Sequence, residues 1–263
     1  MKTAEILFPE ICNLFGDTGN ARFIKSCAED YIETPLNGTP AFVGEDVKLI
    51  YLGPLTENNQ IRVMERLAPY RERISRLIDN GTVFIATGNS YEIFGNSITD
   101  SDGSVTPCLD ILDFSVKRNF FKRESGLILG TYKDLEIVGF KASFTKIYPG
   151  ESAECFVRVT KGLTMNPESS FEGIVKNNFF GTSILGPLLI LNPLFTKRVF
   201  SVAGIPAEKI PFYNEMMDAY RINRRGACKA LKPESANRHV HRLYSYGWRT
   251  WHRRSLWPGV RGL

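Results

Sequence analysis

Histidine is missing from the first 238 residues: the three in this 263-residue chain are His239, His241 and His252. A folded body that ends before them has no imidazole, which excludes Ser-His and Cys-His nucleophilic chemistry within it. Tryptophan is confined in the same way, to Trp248, Trp251 and Trp257. Cysteine is scarce and scattered at Cys12, Cys27, Cys108, Cys155 and Cys228, with no C-x-x-C spacing and no His or Asp cluster beside it. That pattern points to free thiols of a reduced compartment; neither a metal nor any other cofactor is expected. There is no run of about 18 apolar residues and no signal-peptide core at the start, so we expect a cytoplasmic chain without a membrane span.

One charge sign is also nearly absent from the end of the chain. Residues 229–263 hold 8 of the 33 Lys and Arg but 1 of the 28 Asp and Glu, a balance of 8 − 1 = +7. The preceding 228 residues carry 25 − 27 = −2, an ordinary, mildly acidic body. The division therefore falls at 1–228, a folded domain, and 229–263, a basic and aromatic tail without helical or strand period, expected to be disordered or non-native. A stretch such as YSYGWRTWHRRSLW could stack on single-stranded nucleic acid, but no nucleic-acid partner is expected of the body.

What the body does contain is an alternation of strands and helices. AEILF at the start and VKLIYLG (Val47 to Gly53) read as buried strands, and a helix is expected from about Thr18 to Tyr31. From Glu57 to Asp79, Ile61, Met64, Leu67, Ile74 and Leu77 fall on one helical face, with Pro69 as a kink and Asn80-Gly81 as the stop. TVFIA (Thr82 to Ala86) is a third buried strand. Such alternation implies a parallel sheet covered by helices on both faces, with the functional crevice at the carboxyl ends of its strands. After Asp100 come shorter strand-like runs, a strand at Asn178 to Gly181, and helices at Pro193 to Val202 and Glu208 to Asn223.

Two loops at that crevice invite a chemical reading. FGDTGN (Phe15 to Asn20) offers glycines before a helix, as an anion site would, but lacks the GK[ST] of a P-loop and the GxGxxG of a dinucleotide site. The alternative is that Asp17 or Thr18 caps the helix. ATGNSYEIFG (Ala86 to Gly95) is a strand-to-helix turn of nucleophile-elbow type, yet its apex is Gly88, with no side chain to attack. Thr87 and Ser90 read as turn and cap residues.

Taken in order, these segments resemble the class I glutamine amidotransferases of the CobB/CobQ type, in particular the glutaminase subunits of lipid II isoglutaminyl synthases. The family's NLYGDxGN loop is matched by NLFGDTGN (Asn13 to Asn20). Its elbow A-x-C-G-G-Y-Q-L-L-G is matched by residues 86–95, and its G-T-Y-L-H-G-P-L-L-x-x-N-P by Gly181 to Pro193. The likeness covers about residues 4–225. It implies an α/β, flavodoxin-like domain with a largely parallel central sheet and helices on both faces.

The resemblance also locates what is missing. The family's nucleophilic cysteine aligns with Gly88 and its catalytic histidine with Leu185, so both catalytic positions are vestigial and no intact catalytic residue is expected. Its GGGQD loop is replaced by LGPLTEN (Leu52 to Asn58), and its G-F-E-N-H segment reads Gly139 to Ser143. Arg123 matches the arginine that holds the glutamine carboxylate, and Asp17 and Asn89 are further candidates for a vestigial pocket for glutamine or a related small molecule. By resemblance, the partner is a Mur-ligase-like ATP-dependent subunit in a hetero-oligomer, and the process is amidation of a peptidoglycan precursor. The competing expectation is an active amidotransferase of cobyrinate or cell-wall amidation with displaced catalytic residues.

Overall fold

The computed structural model describes residues 2–231; most of the basic tail lies outside the described residues. Along the chain the strands are β1 (Lys2–Leu7), β2 (Tyr31–Thr34), β3 (Val47–Leu52), β4 (Val83–Thr87), β5 (Ser97–Thr99), β6 (Val105–Pro107) and β7 (Phe114–Arg118). They continue as β8 (Glu124–Tyr132), β9 (Leu135–Ser143), β10 (Thr145–Pro149), β11 (Glu154–Gly162), β12 (Phe171–Lys176), β13 (Phe179–Thr182) and β14 (Ile184–Leu185). The helices are α1 (Thr18–Cys27), α2 (Glu57–Leu67), α3 (Arg71–Asp79), α4 (Leu188–Leu191), α5 (Pro193–Val202) and α6 (Tyr213–Ala230).

Ten strands form one sheet in the order β14-β9-β8-β11-β12-β13-β4-β3-β1-β2. Its parallel part is the run β13-β4-β3-β1-β2, joined by the expected crossovers. From β12 to β14 every pairing is antiparallel, so the parallel character belongs to one half of the sheet. A separate four-stranded sheet, β10-β7-β5-β6, packs over one face.

The inner strands are buried on both faces, and alternate residues feed two cores. Leu49, Tyr51, Val83 and Ile85 join α1, α4, α5 and α6 on one side. Ile50, Leu52, Phe84 and Ala86 join α2, α3 and the small sheet on the other. Period-two alternation between two covered faces is why these segments read as continuous apolar runs.

Local chemistry moves several expected boundaries. The first helix stops at Cys27, and Tyr31 instead opens the edge strand β2. Pro69 does break the long helix, leaving a short 3-10 turn at Ala68–Tyr70 between α2 and α3. Ile61, expected on the buried face, is 46% exposed, and Val63 fills the core in its place. α6 runs on to Ala230, beyond the expected end at Asn223.

One buried carboxylate fastens the edge of the parallel half. Glu5 on β1 accepts hydrogen bonds from Thr34 Oγ1 (2.5 Å), the Ala41 N–H (2.7 Å) and the Phe42 N–H (3.0 Å). Burial pushes its carboxyl up, and the Thr34, Ala41 and Phe42 donors oppose that rise. Removing it strands two backbone donors in the core, so Glu5→Ala should cost about 2–4 kcal/mol, measurable by urea unfolding.

Candidate functional site

The carboxyl ends of β1, β3 and β4 open onto the loops 8–17, 53–56 and 88–94. β4 ends at Thr87 and turns at once into a 3-10 segment, Gly88–Phe94, with Gly88 in the left-handed region at φ 65°. The geometry is that of a nucleophile elbow. A Cβ placed on Gly88 would lie 2.4 Å from Pro54 Cβ, so Pro54 fills the space that a side chain at the apex would need.

The facing loop offers little to a developing negative charge. Pro54 has no N–H. The Leu55 N–H donates to Asn89 Oδ1 (3.1 Å), while Asn89 Nδ2 donates to the Leu55 carbonyl (2.8 Å). Asn89 thus latches the two loops together and occupies the Leu55 N–H.

The hydroxyls beside the apex are also committed. Ser90 Oγ is buried within reach of the Thr87 carbonyl (2.8 Å) and the Leu52 carbonyl (2.9 Å). Thr87 Oγ1 donates to Asp17 Oδ2, as does the Tyr51 hydroxyl, and Asn20 Nδ2 donates to Asp17 Oδ1 (2.9 Å). Asp17 occupies the N-cap position of α1 but its side chain makes no cap hydrogen bond; it turns into the core instead. Burial raises the Asp17 carboxyl, against the pull of the Thr87, Tyr51 and Asn20 donors. Gly19 is required for a different reason from phosphate binding: a Cβ there would come within 2.4 Å of Pro187 Cγ.

A cavity of about 250 Å³ lies between the elbow and the small sheet, bounded by Gly88, Asn89, Glu92, Arg118, Arg123 and Ser183 among others. Of the positions singled out in the sequence, Gly88, Asn89 and Arg123 therefore come together. Asp17 lies among the buried groups joined to Thr87, outside the cavity lining. Leu185 is also buried, paired through β14 with Phe140 on β9, and Ser183 reaches the cavity instead. Arg123 is exposed, with its guanidinium 5.8 Å from the Phe15 ring centroid and 5.7 Å from that of Phe144. It has no hydrogen bond or ion pair among the described residues.

The strongest electrostatic feature of the cavity is Glu92. Its carboxylate accepts from Thr145 Oγ1 (2.6 Å) and Gln60 Nε2 (2.9 Å). Gln60 Oε1 in turn accepts from Arg118 Nη1 (3.0 Å), and Arg118 is held by Asp100 through bonds of 2.6 and 3.0 Å. Burial lifts the Glu92 carboxyl from 4.5 to about 7, against the hydrogen bonds of Thr145 and Gln60 and the charge of Arg118. Sequence reasoning passed over this residue. The available signal was that the resembling motif has glutamine where this chain has an acid inside an apolar run.

Close by, Lys141 and Glu172 form a fully buried ion pair at 2.7 Å. Lys141 Nζ also donates to the Thr164 carbonyl (3.0 Å), and Glu172 accepts from the Ser183 N–H (2.9 Å). The pair is internally satisfied and braces β9, β12 and the segment after β13. No group of three or more potential ligands able to hold a metal ion occurs among the described residues.

Solved structures with a similar course of chain include PurLQS from Thermotoga maritima, at TM-score 0.52 and 13% identity over 81% of this chain and all of that one. A second, a glutamine amidotransferase, has TM-score 0.53 and 15% identity over 76% of this chain and 99% of that one. The chain has the glutamine amidotransferase fold. At these identities the likeness speaks for the fold alone. In sequence, the chain is homologous to the lipid II isoglutaminyl synthase (glutamine-hydrolyzing) subunit GatD of Staphylococcus aureus strain N315, 24% identical over 213 residues. The match spans 77% of this chain and 86% of that subunit. No protein-family model matches the chain.

Two outcomes follow from this geometry. Gly88→Cys must adopt a left-handed backbone and displace Pro54, so it should lose about 2–4 kcal/mol; Pro54→Gly combined with Gly88→Cys should be less destabilised than the sum of the single changes. Urea unfolding of the three variants reads this directly. For Glu92, the folded carboxyl titrates above the unfolded one, so the stability carried by its proton is complete below pH 4.5 and lost as pH rises to about 7. Glu92→Gln avoids that loss: its stability relative to wild type should grow by roughly 3 kcal/mol across this window and then level off. Unfolding curves for both proteins at several pH values measure the difference.

Proposed function

We propose that this chain is a glutamine amidotransferase-like subunit without glutaminase activity, acting beside a Mur-ligase-like ATP-dependent enzyme in the amidation of lipid II. The observation that carries the reading is the seat of Pro54 against Gly88. Hydrolysis through a thioester needs a thiolate at the apex, an imidazole or equivalent base to activate it, and donors for the tetrahedral oxyanion. Position 88 has no side chain, position 185 is a buried leucine, and the facing loop contributes a proline and a latched N–H. Loss of the nucleophile alone removes most of the rate in such a unit.

The alternative, an active amidotransferase with relocated catalytic groups, finds little support in the thiols. Cys12, whose loop lies nearest the crevice, is buried, and burial pushes its thiol well above the ordinary range. A buried, unactivated thiol is inert. What remains is a pocket for recognition. Arg123, which lies over the Phe15 and Phe144 rings and makes no hydrogen bond or ion pair among the described residues, supports capture of a carboxylate ligand such as glutamine without turnover.

The reading places the subunit in the cytoplasm, where its ligase-like partner and ATP would be. Five free cysteines accord with that compartment, and among the described residues no helix is long and apolar enough to cross a membrane. Purified chain, alone and mixed with the ligase-like subunit, should release no ammonia from glutamine above a blank. Steady release that disappears when the chain is omitted would establish the active alternative.

A further inference from the structure

The turn joining β7 to β8 is closed by its own hydrogen bonds and exposes its tip. The Asn119 N–H donates to the Phe144 carbonyl (2.8 Å), and the Lys122 N–H closes the turn on the Asn119 carbonyl (3.1 Å). The Phe121 N–H donates to Asn119 Oδ1 (3.0 Å), fixing the tip from within. At that tip Phe121 is 94% exposed, and Phe120 is about half exposed. Phe120 packs on Phe144 at 5.8 Å between ring centroids and faces the Arg118 guanidinium at 5.3 Å. Phe15, also half exposed, and Phe144 line the cavity itself, so that Phe120, packed on Phe144, joins the turn to an aromatic rim.

The same turn, with the end of β7, is a positive spot on an acidic body. Residues 114–123 contain Lys117, Arg118, Lys122 and Arg123 and no acid, a balance of +4. The other residues of 1–228 then carry 21 − 27 = −6. Arg118 is neutralised by Asp100, but Lys117, Lys122 and Arg123 have no ion-pair partner among the described residues. Glu124, the next acid along the chain, is already paired with Lys146. The turn thus presents an exposed phenyl ring beside cations that lack an ion-pair partner among the described residues, Lys117 lying over the Tyr148 ring at 4.7 Å.

We propose that this turn is the docking point for an acidic segment of the ligase-like subunit, one that carries an apolar side chain to cover Phe121. The proposal rests on the functional reading above and adds the surface and the chemistry of the contact. Carboxylates on the partner meet Lys117 and Lys122, and the apolar side chain removes Phe121 from water. Single-stranded nucleic acid fits less well. Arg123 already lies over Phe15 and Phe144, and Arg118 over Phe120, which leaves Phe121 as the one open ring of the rim for a base to stack on.

The test uses the full chain and the purified ligase-like subunit, with affinity measured by titration calorimetry at low and high salt. Wild type should bind, and more weakly as salt rises. Phe121→Asp and the pair Lys117→Glu with Lys122→Glu should each weaken binding at least tenfold while keeping the wild-type unfolding midpoint. Val202→Asp, at an exposed position on α5 outside the rim, should bind as wild type does. A complex indifferent to both rim variants would overturn the docking surface and leave the functional reading standing. No complex with wild type would overturn both. Tight binding of a single-stranded oligonucleotide that vanishes in Phe121→Asp would assign the rim to nucleic acid instead.

Discussion

The crevice depends on a carboxylate that never reaches it. Asp17 gathers hydrogen bonds from Tyr51 at the end of β3, from Thr87 at the end of β4 and from Asn20 in the first turn of α1. Three segments distant in sequence are thereby held at one point beneath the elbow, in a setting dry enough to strengthen each bond and to penalise the loss of any partner. Asn20 passes the restraint on, because its side-chain oxygen accepts the Leu189 N–H (2.9 Å) at the start of the buried α4. The position of Gly88 is thus set from below by groups that do no chemistry themselves.

Above that support, the elbow is packed closely by its surroundings. Pro54 occupies the place of an apex side chain, Asn89 ties the opposing loop, and the polar groups of the cavity wall have been drawn into chains of their own. Gln60 links Glu92 to Arg118, and Arg118 links on to Asp100, so the wall is braced from α2 through the small sheet. A site organised in this way holds shape and charge well.

The parallel half of the fold was legible in the sequence because its signals are local. Apolar runs of strand length, an interrupted helical period and a small-residue turn each declare themselves within a dozen residues. The strand opened by Tyr31 was hidden by its short, mostly exposed edge, and α6 ran past its expected end because its later turns pack on Leu127, Leu129 and Val138. In the site, the missing apex side chain at Gly88 could be read directly from the elbow pattern. The network of Glu92 could not, since Gln60, Arg118 and Thr145 lie 32, 26 and 53 positions from it and meet through tertiary packing alone. Nor could the part played by Pro54, which fills the space beside Gly88 only because β3 and β4 lie side by side.

The interlock of Pro54 with Gly88 also sets the direction in which such a sequence can drift. A side chain placed at position 88 meets the proline ring, whereas a smaller residue at 54 leaves an unfilled gap above the glycine. Neither step is neutral when taken first, so the two positions now hold each other in place. The two positions are therefore coupled: a change at either is better accommodated when the other changes with it.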